Sequence, residues 1–500
     1  MITNVLEYLR KSASEHPDKA AFIDENKSMT FMEINVRAMQ LASCILEECG
    51  EAYNKPIAVY MDKSVDSIIA FMAILYSGNF YVPIDKKSPK ERIERILDVL
   101  EPIVIINQGE HINDLERWKN INYEDSKERV FNEKELIQRL NKVLDVDPVY
   151  VLFTSGSTGI PKGVAINHRS IIDYIEWLYG KFEFDDKTIF GEQAPFYFDN
   201  SILDIYSTLK NASTMVIIPE KFFAFPNKLC IFLNEYKINT IFWVPSALIG
   251  VANSGVLERE KLLYLEKVLF CGEVMPNKQL NIWRKFYPNL LYANLYGPTE
   301  ITDVCAYYIV NREFEDDEPL PIGRACKNTQ ILVLNEENAL VKEGEIGELC
   351  VRGSCLSLGY YKDFEKTDNV FVQNPLNKCF YDTIYKTGDL VRYNELGELI
   401  YVCRKDFQIK HQGHRIELGE IETAASSIDE VYQCCALYDD LQKKIVLFYV
   451  GGENLTEKEI YTQMMKKVPK YMMPGVIHRM EKFPLNINGK IDRVKLKELM

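Results

Sequence analysis

No C-x-x-C pair occurs in the chain, and none of its twelve cysteines clusters with histidine at zinc-ligand spacing. Cys434 and Cys435 are adjacent, which is poor geometry for a structural disulfide. Reduced, mostly buried thiols of a cytoplasmic protein are the expectation. No apolar run reaches the length of a spanning helix, so no membrane insertion is expected. The opening MITNVLEYLRKSASEH is amphipathic and lacks the apolar core and small-residue cleavage site of a secretory signal. Positive charge is in deficit: 59 Lys and Arg face 73 Asp and Glu, a net charge of -14. An acidic surface argues against nonspecific nucleic-acid binding and is compatible with small-molecule chemistry, provided the anion site is locally basic. Internal repeats and low-complexity stretches are also missing.

What is present is a globular composition, 47% hydrophobic and 26% charged, over 500 residues, too many for one ordinary core. Ile57–Met61, Tyr81–Ile84 and Ile103–Ile106 read as strands. Asp66–Ser77 and Glu91–Leu100 between them read as helices, the second with apolar Ile93, Ile96, Leu97 and Leu100 on one face. Such alternation predicts parallel strands with crossover helices. Residues 107–146 are charged and weakly patterned, read as surface structure. The alternation returns with strands Thr240–Val244, Lys267–Cys271 and Leu290–Leu295 and a helix Asn277–Phe286. From Pro319 to Cys403, Gly-punctuated short strands predict an attached β subdomain. After Asp406, a strand Ile445–Val450 and a helix Thr456–Val468 predict a small α+β domain.

The most informative segment is Val149–Gly163, VYVLFTSGSTGIPKG. A buried-type strand runs into Thr154, Ser155, Gly156, Ser157, Thr158, Gly159, Pro161, Lys162 and Gly163, and a helix pattern opens near Asn167. Small residues let backbone N–H groups approach an anion, hydroxyls add donors, and Lys162 adds positive charge. The spacing is not that of a P-loop NTPase.

Four further motifs follow in order: NLYGPTE at Asn294–Glu300, YKTGD at Tyr385–Asp389, RKDFQIKHQGHRIELGEIE at Arg404–Glu422 and NGKIDR at Asn488–Arg493. Together with the Ser/Gly loop they resemble the adenylate-forming superfamily of acyl-CoA synthetases, luciferase and nonribosomal peptide synthetase adenylation domains. The resemblance covers nearly the whole chain. It implies an α/β fold in which residues 1–402 form a large domain of α/β sheets plus a β subdomain. Residues 403–406 would be a hinge, and 407–500 a small mobile α+β lid.

The implied reaction has two halves. A carboxylate attacks the α-phosphate of Mg-ATP and expels pyrophosphate; a thiol then attacks the acyl-adenylate and expels AMP. Negative charge gathers at phosphorus in the first half, so cations must be aimed there. By resemblance, Lys490 is the catalytic lysine bridging substrate carboxylate and α-phosphate. Thr299 touches the α-phosphate and Glu300 holds Mg2+. Asp389 accepts from the ribose hydroxyls, and Arg404 contacts ribose and phosphate. Asn294 bonds the adenine edge, and Tyr296, followed by Gly297, stacks on its face. Thr154 through Gly159 and Lys162 embrace the pyrophosphate. Asp406 matches the hinge residue, and Gly413 would face a phosphopantetheine arm. Cys403 departs from the family, which has glycine there; a required positive φ would strain a cysteine.

FYFDNSILDI at Phe196–Ile205 places Asp199 where amino-acid-activating relatives carry the aspartate that pairs with the substrate ammonium. Alignment by motif adds Asn200, Leu203, Trp243, Leu269, Cys271, Leu295, Asp303 and Val304 to the pocket. LFCGEVM at Leu269–Met275 resembles the D-alanine–D-alanyl carrier protein ligases, making D-alanine a leading substrate. Asn200 and Asp303 depart from those enzymes, which are apolar at both. A buried Asp303 needs a donor, from a polar or cationic substrate side chain or from the protein. Side chain and chirality stay open.

The chain ends ten residues after Lys490 with no carrier-domain serine motif, so delivery to a separate phosphopantetheinylated carrier protein is the expectation. Nothing demands more than a monomer. The reading is an ATP-dependent amino acid–carrier protein ligase. Its rivals are an acyl- or aryl-CoA ligase, against which Asp199 argues, and a nonenzymatic adenylate-binding regulator, against which Lys490, Asp389 and Glu300 argue.

Overall fold

A computed structural model describes residues 2–109, 117–156, 161–405, 408–452, 455–484 and 491–500. The chain divides into two compact units. The larger comprises residues 1–84, 101–152 and 164–405; the smaller comprises 85–100, 153–163 and 406–500.

Two largely parallel sheets dominate the larger unit. In one, of nine strands, Leu291–Tyr296, Lys267–Phe270, Thr240–Trp243, Ile189–Glu192 and Thr214–Ile217 lie side by side and parallel. The other has six strands and includes Pro56–Tyr60, Phe80–Pro83, Val104–Asn107 and Pro148–Thr154. Each predicted strand in these regions is present within about a residue of its expected ends, the usual uncertainty of such boundaries. A third, antiparallel sheet contains Thr329–Leu334, Gly347–Gly353, Thr383–Tyr393 and Leu399–Arg404, the expected β subdomain. It also admits a helix, Phe364–Val370, started by the Asp363 side chain accepting from Lys366 N–H.

Strand alternation sorts the nine-stranded sheet's side chains into two cores. Phe242, Leu269, Ala293 and Leu295 face one way, into a cluster shared with helices Val65–Tyr76, His168–Phe182 and Asn200–Asn211. Ile241, Trp243, Val268, Phe270 and Tyr292 face the other, against helices Pro226–Glu235, Pro245–Asn253 and Asn277–Phe286. Fully buried runs of this kind are what a sheet covered on both faces requires.

Residues 107–146 are more than surface. Tyr123 is 1% exposed and donates its hydroxyl to Asp66 at 2.6 Å. Arg139 is buried and donates to Ser77 O at 3.0 Å. Charged composition hid these contacts, because the partners are distant backbone and side-chain oxygens. Cys403 lies in an ordinary strand and is absent from the positive-φ residues, so the replacement of glycine strains nothing. All twelve cysteines are free, and most are buried.

The smaller unit has a three-stranded sheet of Val431–Asp439, Lys444–Gly451 and Val476–Arg479. It packs with helices Leu418–Ser426 and Glu457–Met464, the latter opened by a Thr456/Glu459 capping box. A hairpin, Gln408–His411 with His414–Glu417, turns through Gln412 and Gly413 at φ 52° and 79°, the conformation that a tight two-residue turn demands. No helix among the described residues is long and apolar enough to cross a membrane.

Two stability outcomes follow. Asp66 is nearly buried and accepts from Lys27 at 2.7 Å as well as from Tyr123. Asp66→Ala strands Lys27 and the phenol, lowering stability by about 3 kcal/mol in a denaturant titration. His168 accepts the Val5 N–H at 3.1 Å, and burial pushes its pKa down to about 3. The folded form therefore binds fewer protons than the unfolded chain below pH 6.5. Stability should fall by about 1.4 kcal/mol per pH unit between about pH 6.5 and 4, a slope missing in His168→Gln.

Candidate active site

Ligands in open parallel sheets bind beyond the carboxyl ends of the strands. Four adjacent strands of the nine-stranded sheet end in expected site residues. Ile189–Glu192 leads to Asp199 at the start of helix Asn200–Asn211; Thr240–Trp243 ends at Trp243 itself, and Lys267–Phe270 and Leu291–Tyr296 lead to Cys271 and to Gly297, Thr299 and Glu300.

Leu203, Leu269, Cys271, Leu295 and Val304 all belong to the same buried cluster. Trp243 does not. Its side chain lies on the opposite face of its strand, 5.1 Å from the Phe223 ring, and its indole donates to Gly191 O at 2.8 Å. The ladder register pairs Phe242 with Leu269 and Trp243 with Phe270, so Phe242, not Trp243, shares the face of Leu269. A one-residue offset in a strand reverses the face. Alternation along one strand gives two faces but does not say which of them a neighbouring strand shares; the ladder does.

Asp303 is 1% exposed, and Tyr174 donates to its Oδ2 at 2.7 Å. Of the two donors that the sequence left open for it, one therefore comes from the protein. Burial, then the charge of Asp303, holds the Tyr174 phenol well above its usual range, so it stays a donor. The backbone around Asp303 is strained: Thr302 and Asp303 have φ of 63° and 69°, unusual for a β-branched residue above all. Val304 N–H bonds Thr302 O at 2.9 Å across a three-residue turn, and Thr302 Oγ1 donates to Cys355 O at 2.9 Å. Nearby Tyr150 is fully buried, its phenol raised first by burial and then by Asp199 and Asp303, and among the described residues its hydroxyl has no hydrogen-bond partner. Asn200 Nδ2 is likewise without one.

The nucleotide-type residues form a second group. Asp389 is 2% exposed; Tyr296 donates its hydroxyl to Oδ2, and Arg404 donates to Oδ1 at 3.0 Å. Each carboxylate oxygen has lone pairs for a further donor, so two hydroxyls can join without displacing these partners. Burial and then Asp389 keep the Tyr296 phenol protonated. Asn294 commits its amide N–H to Pro321 O at 2.8 Å. Thr299 and Glu300 lie in a single 3-10 turn after the strand, both buried. Glu300 accepts from Tyr360 at 2.7 Å, a partner that the sequence did not reveal. A Cβ on Gly297 would meet Asp303 O at 2.3 Å, so only glycine lets this turn pass the pocket wall. Among the described residues no three metal-ligand side chains converge. One buried carboxylate nonetheless suits Mg2+, which is held by one or two carboxylates plus substrate phosphates.

Within the smaller unit, Thr154 Oγ1 donates to Lys162 O at 3.4 Å. Ser155 donates to Arg415 O at 2.8 Å and accepts Glu417 N–H at 3.0 Å. Lys162 Nζ is 3.6 Å from Glu417 Oε1, so an anion at this loop would compete with a carboxylate. Gly156 closes the described part of the loop. Ser157, Thr158 and Gly159, the hinge Asp406 and the lysine Lys490 lie outside the described residues.

Arg404→Met leaves the buried Asp389 carboxylate without its cation. Unfolding of the larger unit by denaturant should become about 3 kcal/mol easier. Gly297→Ala should cost about 1–3 kcal/mol by the same titration, since the added methyl must displace backbone.

The family profile of AMP-binding enzymes matches residues 9–361, and that of the AMP-binding enzyme C-terminal domain matches 420–490. The chain is 30% identical over 510 residues to zwittermicin A synthase ZmaJ of Bacillus cereus, covering 99% of this chain and 94% of that protein. It is 31% identical over 496 residues to gramicidin S synthase 1 of Brevibacillus brevis, where it covers 98% of this chain but spans only 44% of the synthase. The fold matches the Vibrio cholerae adenylation domain AlmE, solved with glycyl-adenosine-5'-phosphate, at a TM-score of 0.84 and 20% identity over 100% of this chain and 98% of that one. The profile match over most of its length places the chain in the family of AMP-binding enzymes, the adenylate-forming ligases.

Proposed function

We propose that the protein adenylates an amino acid with ATP and transfers the aminoacyl group to the phosphopantetheine thiol of a separate carrier protein. The observation that carries the amino-acid reading is Asp199, at the head of helix Asn200–Asn211, with Tyr150 in the field of both Asp199 and Asp303. An ammonium leaving water needs a counter-charge of this kind. The glycyl-adenylate held by AlmE supports an aminoacyl-adenylate in this fold.

In this reading the two buried carboxylates of the nucleotide group divide the labour. Asp389, braced by Tyr296 and Arg404, receives the ribose. Glu300 holds Mg2+, which supplies positive charge to the phosphates. Thr299 and Lys490 orient the α-phosphate, and the loop 154–162 receives pyrophosphate. D-alanine is a leading candidate substrate on the LFCGEVM segment, and Tyr174 supports it by supplying a donor that Asp303 would otherwise take from a substrate side chain.

ATP–pyrophosphate exchange tests the reading directly, with the common L-amino acids, D-alanine, β-alanine and a set of aryl and fatty acids. Exchange with an amino acid is expected. Exchange confined to acids without an amine would move the enzyme to acyl- or aryl-CoA ligation. Lys490→Ala should abolish exchange while leaving nucleotide binding, followed by calorimetry, within about threefold. Unchanged exchange in that variant would remove the assigned role.

A further inference from the structure

The loop that carries Asp199 leaves the strand Ile189–Glu192 and enters the helix Asn200–Asn211. A buried carboxylate stands on either side of it: Glu192 is 0% exposed and Asp204 is 1% exposed. Neither belongs to the chemistry described above. Lys63, from the connection between strand Pro56–Tyr60 and helix Val65–Tyr76, forms an ion pair with the Glu192 carboxylate and lies 3.5 Å from Glu192 O. Asp204 feels the charges of both Glu192 and Lys63, and among the described residues neither of its oxygens has a hydrogen-bond partner.

Lys63 also touches the loop itself. Its ammonium is 5.7 Å from the centroid of the Phe196 ring, a cation–π distance. Phe196 in turn meets Phe71 edge-on at 5.8 Å, and Phe71 stacks on Tyr81 at 4.3 Å. Glu192 belongs to the nine-stranded sheet, whereas Lys63 follows a strand of the six-stranded one. One side chain therefore ties both sheets to the point where the Asp199 loop begins.

Buried ion pairs are poor stabilisers, since desolvation offsets most of the attraction. Burial pushes both carboxyls up, Glu192 against the pull of Lys63 and the Ala194 N–H, Asp204 with a further push from Glu192. A hydrophobic packing of the same volume would serve stability as well. What it would not supply is a fixed direction for the loop.

We infer that Lys63 is a positioning residue: through Glu192 and Phe196 it fixes the segment 193–199, and thereby the angle at which Asp199 meets the substrate ammonium. The inference rests on the amino-acid reading above and adds a residue that touches no reactant.

Pyrophosphate exchange with the accepted amino acid tests it, with Lys63→Met measured beside Asp199→Ala. In Lys63→Met the KM for the amino acid should rise at least about tenfold, 1.4 kcal/mol of lost binding, while KM for ATP moves less than about twofold. Lys63→Arg should recover most of the loss. The double variant Lys63→Met/Glu192→Gln removes both charges and leaves a neutral site able to pack. Its amino-acid KM should stay raised; a return to the wild-type value would reduce the pair to a structural role and overturn the inference. An unchanged amino-acid KM in Lys63→Met, or equal rises in both KM values, overturns it as well. Should Asp199→Ala itself leave the amino-acid KM unchanged, the amino-acid reading fails and this inference falls with it. A raised KM in Asp199→Ala with none in Lys63→Met sinks the positioning role alone.

Discussion

Parallel hydrogen-bonded ladders between the strands ending at Glu192, Trp243, Phe270 and Tyr296 constrain everything else in the larger unit. Because the strands run the same way, their carboxyl ends lie along one edge of the sheet, and each connection must begin there. Residues separated by about a hundred positions, Asp199 and Thr299 among them, emerge from that edge. The same ladders fix register, and register fixes which alternate side chains reach the inner core. Leu269 and Leu295 face it because their ladder partners do.

Around that edge the protein concentrates costly features. Asp303 is a buried carboxylate on a left-handed backbone, passed at close range by Gly297. Asp389 is buried between a phenol and a guanidinium, and Glu300 is buried against Tyr360. Each acid is met by a tyrosine hydroxyl, and burial keeps the phenols of Tyr174 and Tyr296 protonated at any working pH. A neutral donor satisfies a carboxylate oxygen without cancelling its charge. At Asp303 and Glu300 the tyrosine leaves negative field in place, whereas at Asp389 the Arg404 guanidinium offsets the charge.

The smaller unit shows a different economy. Its hairpin turns through two left-handed residues, and its sheet of three strands is packed by two short helices. Ser155 and Lys162 find partners on the strand His414–Glu417, so the Ser/Gly loop is polar but not without competition for its lysine. Any anion that reached Lys162 would meet the Glu417 carboxylate already beside it.

By itself the sequence determined the alternation of strands and helices, the β subdomain and the family, and it named a set of polar candidates for the chemistry. These were legible because period, glycine placement and short motifs are local: Asn277–Phe286 declares its helix in ten residues, and the short motifs declare the family in their own composition. Tertiary structure alone decided which groups meet. Tyr360 is sixty positions from Glu300, Tyr174 well over a hundred from Asp303, and Lys63 as far from Glu192, with no local signal joining any of these pairs. The choice of Phe242 over Trp243 likewise belongs to the ladder, since a side chain's face depends on the neighbouring strand's register and not on its own identity.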